Sequence, residues 1–387
     1  MTLKKSLILL LFFVLIAPYI QSEWKISREE LENRKINYRN LEFAILSPKG
    51  DYAIGYSFYS DIEHKKRGEI YCLHIFKFGK NNQIDIKEVP LKINVLIGIA
   101  LNDKDKTIVV VGNYGSIILT VDLKTYRVTK VFEYRKNIAG FRTETLVVQW
   151  NNRIYLTGYF YDKEQYWEGD YLVELILPND AKKQALEFRK KVDLRKVYDE
   201  LKAQPIIMQV ISDKMMYFVI RSTDANKKPI QKLMCYNNGK VQEVEKGLGI
   251  GNFAGTEKKI YASILTKDKT WDTYIKNVNN TGKVSLGEPN ICYTYPFISE
   301  NAKTAMFCSV NYFNQTMNIY YAQEKDKYQK KVLYENVPMG LLKISATGNA
   351  YLRHAPDGVE VDTFEGLEAR QKKEAEEDIE LEDLKLD

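Results

Sequence analysis

The sequence predicts an all-β protein, a seven-bladed β-propeller of four-stranded blades that an N-terminal strand closes. The composition is the first observation, because 27 Tyr stand beside 16 Phe and four Trp, and aromatic residues favour strands. The second is a strand–turn–strand pattern that recurs seven times, with turns that begin 43 to 61 residues apart. Four strands in a repeat of this length are typical of a propeller blade.

Each repeat places a short polar turn before an apolar strand rich in Tyr and β-branched residues. The first turn is Ser-Pro-Lys-Gly-Asp at residues 47–51. The later turns begin at Asn102, Asn151, Ser212, Thr256, Ser299 and Ser345. The strands after the turns are predicted at Tyr52–Tyr56, Thr107–Val111, Arg153–Thr157, Met215–Ile220, Lys259–Ile264, Thr304–Val310 and Ala350–Arg353. Because most copies continue into a third and a weaker fourth strand, seven copies predict seven blades.

These turns resemble the TolB-like, or WD40-like, propeller repeat, whose hallmark is a Ser-Pro-Asp-Gly-Lys turn between the first two strands. The turn at residues 47–51 is the best match, with Lys49 at the usual Asp position. Residues 211–214 (Ile-Ser-Asp-Lys) and 298–301 (Ile-Ser-Glu-Asn) match more loosely. The resemblance covers most of Leu41–Phe364 and implies the same propeller fold.

Two segments need separate interpretations. The last repeat has only three strands, ending at Val359–Phe364, and we expect Lys35–Tyr38 to supply its outer strand. A short helix capped by Ser27, with Glu30 three residues later, is expected before that strand. In the long third repeat we expect a helix over Asp193–Ala203, after a stretch that is itself a strand.

The two ends of the chain differ from the middle. Lys4 and Lys5 precede the apolar run Leu7–Ala17, which is too short to span a bilayer and is typical of a secretory signal peptide. We therefore expect a signal peptide at residues 1–22, cleaved after Ser22, a propeller domain at 23–365 and an acidic, disordered tail at 366–387. An uncleaved membrane anchor is the alternative for the first segment. The protein is thus predicted to be secreted, or periplasmic in the cell envelope.

Charge and motifs exclude several classes of function. The net charge of +6 is the sum of +2 in the signal region, −5 in the tail and +9 in residues 23–365, and this +9 is spread without a basic stripe, so no nucleic-acid partner is predicted. The sequence contains no nucleophile elbow, phosphate-binding loop or metalloprotease helix. A metal site that combines His64, His74 and His354 with Asp61 or Glu63 is one interpretation, and three unrelated histidines is the one we favour. No catalytic residue, metal or cofactor is predicted.

The cysteines allow one disulfide in an oxidising compartment. Cys72 and Cys235 occupy equivalent third-strand positions of repeats one and four, which are too far apart to bond. Cys292 and Cys308 flank the turn at residue 300 symmetrically. They would face each other if that hairpin were tight and in register, and two buried thiols are the alternative.

The connections between second and third strands carry aromatic residues beside amides and carboxylates. The candidate binding residues are Tyr59, Tyr114, Tyr159, Tyr161, Tyr166, Trp167, Trp271, Tyr312 and Phe313. Such residues supply flat apolar platforms and hydrogen-bonding partners, although the same rings could instead pack between blades. The sequence therefore predicts an exported binding scaffold for a protein or peptide, with a carbohydrate as a second ligand class. The alternative function is a propeller enzyme, a lyase, lactonase or glycosidase, acting on a carbohydrate or small molecule at the channel mouth.

Overall fold

The computed structural model describes residues 24–372, apart from 60–61, 80–82, 105, 134–138, 143–146, 151, 163–166 and 178–185. Its strands form seven antiparallel sheets, each of which is one blade. The predicted seven-bladed β-propeller is therefore confirmed, and the predicted second strands all lie where the repeat placed them. The expected signal peptide at residues 1–22 lies outside the described residues.

The strands follow one another through the blades in chain order. Blade 1 contains β2 (Glu42–Leu46), β3 (Tyr52–Phe58), β4 (Tyr71–Phe78) and β5 (Ile84–Leu91). Blade 2 contains β6 (Leu96–Asn102), β7 (Thr107–Gly112), β8 (Ile117–Asp122) and β9 (Val128–Glu133). Blade 3 has a first strand in two segments, β10 (Ala139–Arg142) and β11 (Val147–Trp150), then β12 (Arg153–Asp162), β13 (Trp167–Ile176) and β14 (Glu187–Asp193).

The remaining four blades complete the ring. Blade 4 contains β15 (Pro205–Val210), β16 (Met215–Thr223), β17 (Pro229–Asn237) and β18 (Lys240–Gly247). Blade 5 contains β19 (Gly249–Gly255), β20 (Lys259–Leu265), β21 (Trp271–Asn277) and β22 (Val284–Ser285). Blade 6 contains β23 (Thr294–Ile298), β24 (Thr304–Asn311), β25 (Thr316–Gln323) and β26 (Lys331–Pro338). Blade 7 contains β27 (Leu341–Ile344), β28 (Ala350–Ala355), β29 (Gly358–Thr363) and the N-terminal β1 (Trp24–Ser27).

A buried hydroxyl group organises the recurring turn between first and second strands. Ser47, Ser299 and Ser345 are at most 1% exposed. Their Oγ atoms accept hydrogen bonds from the backbone nitrogens that begin the next strand, at 3.1 Å from Tyr52, 3.0 Å from Thr304 and 3.1 Å from Ala350. In the first turn Gly50 has a φ of 74°, a left-handed conformation that favours glycine. In blades 1, 6 and 7 this turn is thus a structural device that starts the second strand.

The core lies between neighbouring blades. Apolar side chains alternate along each strand, so that each sheet buries one set against the preceding blade and another against the following blade. Between blades 1 and 2, for example, Ile54 and Ile75 pack with Val110 and Val121, all of which are fully buried. This stacking of sheet on sheet explains why fully buried apolar residues occur in every blade of the described chain.

The chain closes the ring with a different segment from the one expected. β1 pairs antiparallel with β29, with Trp24 opposite Val361 and Ser27 opposite Gly358. The expected closing strand at Lys35–Tyr38 is therefore wrong, although closure by an N-terminal strand is correct. Residues 35–38 instead follow the helix α1 (Arg28–Asn33) and insert Ile36 and Tyr38 into the core between blades 7 and 1.

The helices lie at connections around the sheets. Ser27 caps α1, since its Oγ accepts a hydrogen bond from the nitrogen of Glu30 at 3.1 Å, as the sequence predicted. The helix α2 (Ile62–Lys66) lies in the connection between β3 and β4. The helix α3 (Leu194–Leu201) follows β14 and confirms the predicted helix in the long third repeat. Within the described residues, no helix is both long and apolar enough to cross a bilayer.

We expect Asp193→Ala to lower the free energy of unfolding by about 1 kcal/mol. The carboxylate of Asp193 accepts hydrogen bonds from the backbone nitrogens of Arg195 at 3.1 Å and Lys196 at 3.4 Å, which the first turn of α3 cannot satisfy internally. Urea unfolding measures the change. Asp199→Ala is the control, because Asp199 is an exposed acidic residue near the other end of the same helix. An equal loss in both variants would contradict the capping role.

The acidic tail begins as a helix. Residues 364–372 are helical, and we call this segment α4. Phe364 and Leu367 are buried against blade 6 and blade 7, and Arg370 forms an ion pair with the buried Asp362. The boundary expected at residue 366 falls inside α4, and residues 373–387 lie outside the described residues.

Candidate functional site

The propeller has two faces that differ in surface chemistry. We call the upper face the one formed by the connections between second and third strands and by the connections from one blade to the next. The starts of first and third strands and the ends of second and fourth strands belong to it, because neighbouring strands run antiparallel. The lower face carries the Ser- and Thr-containing turns between first and second strands.

The exposed apolar side chains are concentrated on the upper face. Eleven large apolar residues are exposed within the described part of the chain. Nine lie on the upper face: Phe58, Tyr159, Ile206, Ile207, Leu248, Tyr295, Tyr312, Phe313 and Leu341. The other two, Val128 and Val332, begin fourth strands and so lie on the lower face. The upper face is therefore the more apolar of the two faces within the described part of the chain.

The most exposed of these side chains belong to the connection between β24 and β25. Tyr312 is 68% exposed and Phe313 is 100% exposed. The side-chain oxygen of Asn311 accepts hydrogen bonds from the nitrogens of Phe313 at 3.1 Å and Asn314 at 3.3 Å. This local turn holds the loop without using either aromatic ring, so both rings remain available for contact.

A groove lies beside these two rings, between blades 6 and 7. Its volume is about 670 Å³. Its lining consists of Tyr312, Asn314, Gln315, Thr316, Pro338, Met339 and Pro356. The nitrogen of Met339 donates a hydrogen bond to the carbonyl oxygen of Gln315 at 3.0 Å, which extends the β25–β26 pairing of blade 6 along one side of the groove. The site is thus a preformed cleft with apolar walls and amide groups.

The other predicted binding residues do not form one cluster with the groove. Tyr159 is exposed, but it belongs to β12 rather than to a loop, because β12 and β13 continue to the pair Asp162 and Trp167. Tyr59 and Trp271 are half-buried, and Trp271 packs close to Gly251 and Cys292. Three candidates have described backbones and undescribed side chains: Tyr114, Tyr161 and Trp167. Tyr166 lies outside the described residues.

Sequence reasoning missed the aliphatic part of the upper face. Ile206, Ile207, Leu248 and Leu341 are exposed near the starts of first strands. A sign was present in the sequence, since apolar residues at the ends of strands have no neighbouring blade to cover them. The predicted binding residues were chosen among aromatic residues alone, so these aliphatic residues were left out.

A separate polar cluster lies on blade 1. Within the described residues, one group of three metal-ligating side chains has its donor atoms within 4.8 Å of one another, and it comprises Cys72, His74 and Glu88. Cys72 and His74 are buried on β4, whereas Glu88 is exposed on β5. The cluster is therefore on the third and fourth strands, away from the first strand that lines the central channel.

Burial dominates the protonation of this cluster. It raises the pKa of the Cys72 thiol to about 12, although a hydrogen bond with Tyr59 acts in the opposite direction. It lowers the pKa of His74 to about 4. Partial desolvation raises the pKa of the Glu88 carboxyl, and the nearby His64 opposes that shift. The ring of His64 stacks on Tyr59 with centroids 3.7 Å apart. His354 lies elsewhere, against Tyr38 and Phe43.

The structure does not form the disulfide that the sequence allowed between Cys292 and Cys308. All four cysteines are free thiols. The turn after β23 is centred later than expected, so that Ile298 pairs with Ala305. A register shift then places Thr294 opposite Cys308, and the Cys308 thiol lies 3.6 Å from the Thr294 hydroxyl. Cys292 precedes the strand and has no place in that pairing.

Comparison with known proteins identifies a shared fold and no family. No protein-family model matches the chain, and no curated protein matches it in sequence. A puromycin-hydrolyzing peptidase of Mycobacterium tuberculosis is similar in structure, with a TM-score of 0.52 and 9% identity over 84% of this chain and 52% of that chain. The chain thus spans about half the length of that peptidase. The similarity is one of fold.

Two further structures match the chain with lower TM-scores. TolB from Acinetobacter baumannii has a TM-score of 0.37 and 13% identity, over 77% of this chain and 64% of that chain. The β-propeller domain of the Trilobed protease from Pyrococcus furiosus has a TM-score of 0.47 and 12% identity, over 83% of this chain and 95% of that chain. Membership of the TolB-like repeat family remains a prediction.

Proposed function

We propose that this chain is an exported binding scaffold whose upper face holds a segment of a protein or peptide partner in the cell envelope or outside the cell. The observation that carries the proposal is the concentration of exposed apolar side chains on that face, nine of the eleven in the described chain. Export is proposed from the N-terminal sequence pattern of residues 1–22.

The groove between blades 6 and 7 favours a peptide as the occupant. Its walls combine an aromatic ring, two prolines and a methionine with the side-chain amides of Asn314 and Gln315. Amide groups can pair with the backbone of an extended peptide, while the apolar walls accept one of its side chains. Phe313 stands fully exposed next to the groove, where it would be covered when a partner binds. The same platforms would also suit a carbohydrate, which is the second ligand class.

Replacing Tyr312 and Phe313 together with alanine should weaken partner capture by about tenfold or more while leaving the melting temperature unchanged. Aromatic anchors dominate binding energy when a partner buries them. Both rings are exposed in the free protein, so their loss removes little packing. The measurement is capture of partners from the native envelope fraction by immobilised protein, quantified by mass spectrometry, beside a thermal melt.

Val128→Ala with Val332→Ala is the matched control, since these exposed apolar residues lie on the lower face. The control should keep every partner that wild type captures. If the Tyr312/Phe313 variant retained the same partners at the same affinity, the upper-face proposal would be refuted. If competition with free sugars rather than peptides released the captured material, the ligand class would be carbohydrate.

A further inference from the structure

We propose that Cys72, His74 and Glu88 form a binding site for a divalent transition-metal ion, with Zn²⁺ as the ion whose chemistry fits the three donors. The site is distinct from the groove between blades 6 and 7 and does not depend on the proposed partner. Its donor atoms lie within 4.8 Å of one another. The argument rests on strand register, donor chemistry and an unsatisfied nitrogen.

The register of blade 1 brings the three donors together. Cys72 and His74 are two residues apart on β4, so both side chains project from the same face of the sheet. His74 is paired directly with Glu88 on β5, which places these two side chains side by side. The β4–β5 ladder runs without a register shift from Tyr71 opposite Leu91 to Phe78 opposite Ile84. The site is therefore built on two regular strands rather than on a loop.

The three donors are a thiol, an imidazole and a carboxylate, which is the ligand set that Zn²⁺ takes in proteins. Bonds of about 2.0–2.3 Å in tetrahedral geometry place such ligand atoms about 3.3–3.8 Å apart. The present separations need side-chain shifts of about 1 Å to reach those values. On binding, the thiol of Cys72 releases its proton to solvent and the thiolate sulfur bonds to the metal. Three protein ligands leave a fourth position for water or another ligand.

His74 supplies the second observation. The residue is 2% exposed, and its Nδ1 is buried without a hydrogen-bonding partner in the described structure. A buried polar atom without a partner is costly, and few exist in native proteins. The other nitrogen, Nε2, lies 2.7 Å from the Oγ of Ser57. If Nε2–H donates to Ser57, the lone pair of Nδ1 is left for a metal, which is the usual arrangement of a ligating histidine.

The surroundings provide access from the upper face. Glu88 is exposed, and the half-buried Tyr59 lies beside Cys72 through a hydrogen bond between the two side chains. Tyr59 and His64 belong to the connection between β3 and β4 on the upper face, where their rings stack on each other. An ion can thus reach the cluster past Glu88 without opening the core between blades.

The test is a Zn²⁺ titration of the purified chain, reduced and stripped with a chelator, against a fluorescent zinc indicator. We expect one equivalent of Zn²⁺ to bind with a dissociation constant below about 1 μM, and a raised melting temperature on binding. Excess Mg²⁺ should not compete, because Mg²⁺ prefers oxygen donors. Co²⁺ should give a thiolate-to-metal absorption band, which reports Cys72 directly.

Two variants and one control identify the ligands. Cys72→Ala and Glu88→Gln should each weaken binding at least tenfold, and Cys72→Ala should abolish the cobalt band. Cys235→Ala is the matched control, since Cys235 is also a buried thiol on the third strand of its blade, and it is paired with Gln242 on the neighbouring strand. The control should bind as wild type does.

Glu88→Gln keeps the test decisive if Cys72→Ala fails to fold, because Glu88 is exposed and its loss removes no core contact. The proposal is overturned if wild type takes up no Zn²⁺ at micromolar concentrations. It is equally overturned if Glu88→Gln binds Zn²⁺ as tightly as wild type.

Discussion

Replacing Trp24 with alanine should lower the free energy of unfolding by about 3–5 kcal/mol. Trp24 is 4% exposed in the four-residue strand that closes the ring. Its ring packs on Phe78 with centroids 5.4 Å apart, and its Nε1 donates a hydrogen bond to the carbonyl oxygen of Gly79 at 2.8 Å. One side chain thus joins the outer strand of blade 7 to blade 1. The loss should be large because it opens a cavity in the packing between the last and first blades of the ring.

Urea unfolding followed by tyrosine and tryptophan fluorescence, with circular dichroism as a second probe, measures the change. Lys25→Ala is the control, because Lys25 is the next residue of the same strand and is exposed. We expect the control to stay within about 0.5 kcal/mol of wild type. A Trp24→Ala variant as stable as the control would show that the ring closes without this contact.

The seven second strands were predictable because their signal is local. A small polar residue begins the turn, and in three of the blades its hydroxyl group accepts a hydrogen bond from the backbone nitrogen five residues later, at Ser47, Ser299 and Ser345. The alternating apolar residues that follow are buried on both faces of the blade. Both features lie within about ten consecutive residues. Sequence spacing alone therefore identifies the repeat.

The closing strand was not predictable in the same way, because two segments carry similar patterns. Trp24 and Ile26 alternate with polar residues, as do Ile36 and Tyr38, and all four are buried. The hydroxyl of Tyr38 donates hydrogen bonds to the carbonyl oxygens of Ala355 and Gly358. Residues 35–38 therefore pack their side chains against blade 7 without forming its fourth strand. The alternation of apolar and polar residues indicates which side chains are buried, but it does not indicate which segment pairs with the sheet.

The two candidate sites differ in the same way, since one depends on a local pattern and the other on strand pairing. Tyr312 and Phe313 could be named from the sequence, because a loop between two strands exposes its aromatic residues when a local turn holds it. The Cys72, His74 and Glu88 cluster could not, since it depends on the pairing of His74 with Glu88 across two strands. A shift of one residue in that register would have moved Glu88 to the other face of the blade. The possible pairing of Cys292 with Cys308 assumed a strand register that the structure does not have.

We expect His354 to lower the free energy of unfolding as the pH falls from about 6.5 to about 4. Burial lowers the pKa of this histidine to about 4, and the carboxylate of Glu42 offsets only part of the shift. Its ring packs between Tyr38, at 4.7 Å, and Phe43, at 5.7 Å, between ring centroids. Neither aromatic ring offers the imidazolium N–H groups a conventional hydrogen-bond acceptor. The neutral form is therefore the one that fits the fold.

The sign follows from the two states of the chain. Above pH 6.5 the imidazole is neutral whether the chain is folded or unfolded, so it adds no pH dependence. Between about pH 6.5 and pH 4 the unfolded chain binds a proton that the folded protein refuses, and stability falls. Below about pH 4 both states carry the proton, and the loss is complete. A difference of about 2.5 pKa units sets an upper limit of about 3 kcal/mol.

The measurement is the free energy of unfolding in urea at several pH values, for wild type and for His354→Gln. The variant loses ring contacts at every pH, so the informative quantity is how the difference between the two proteins changes with pH. We expect wild type to lose about 2–3 kcal/mol relative to the variant between pH 7 and pH 4. Carboxylates elsewhere titrate equally in both proteins and cancel in that difference. A difference that stayed constant over the range would mean that His354 titrates alike in the folded and unfolded chains, and that burial against Tyr38 and Phe43 does not hold it neutral.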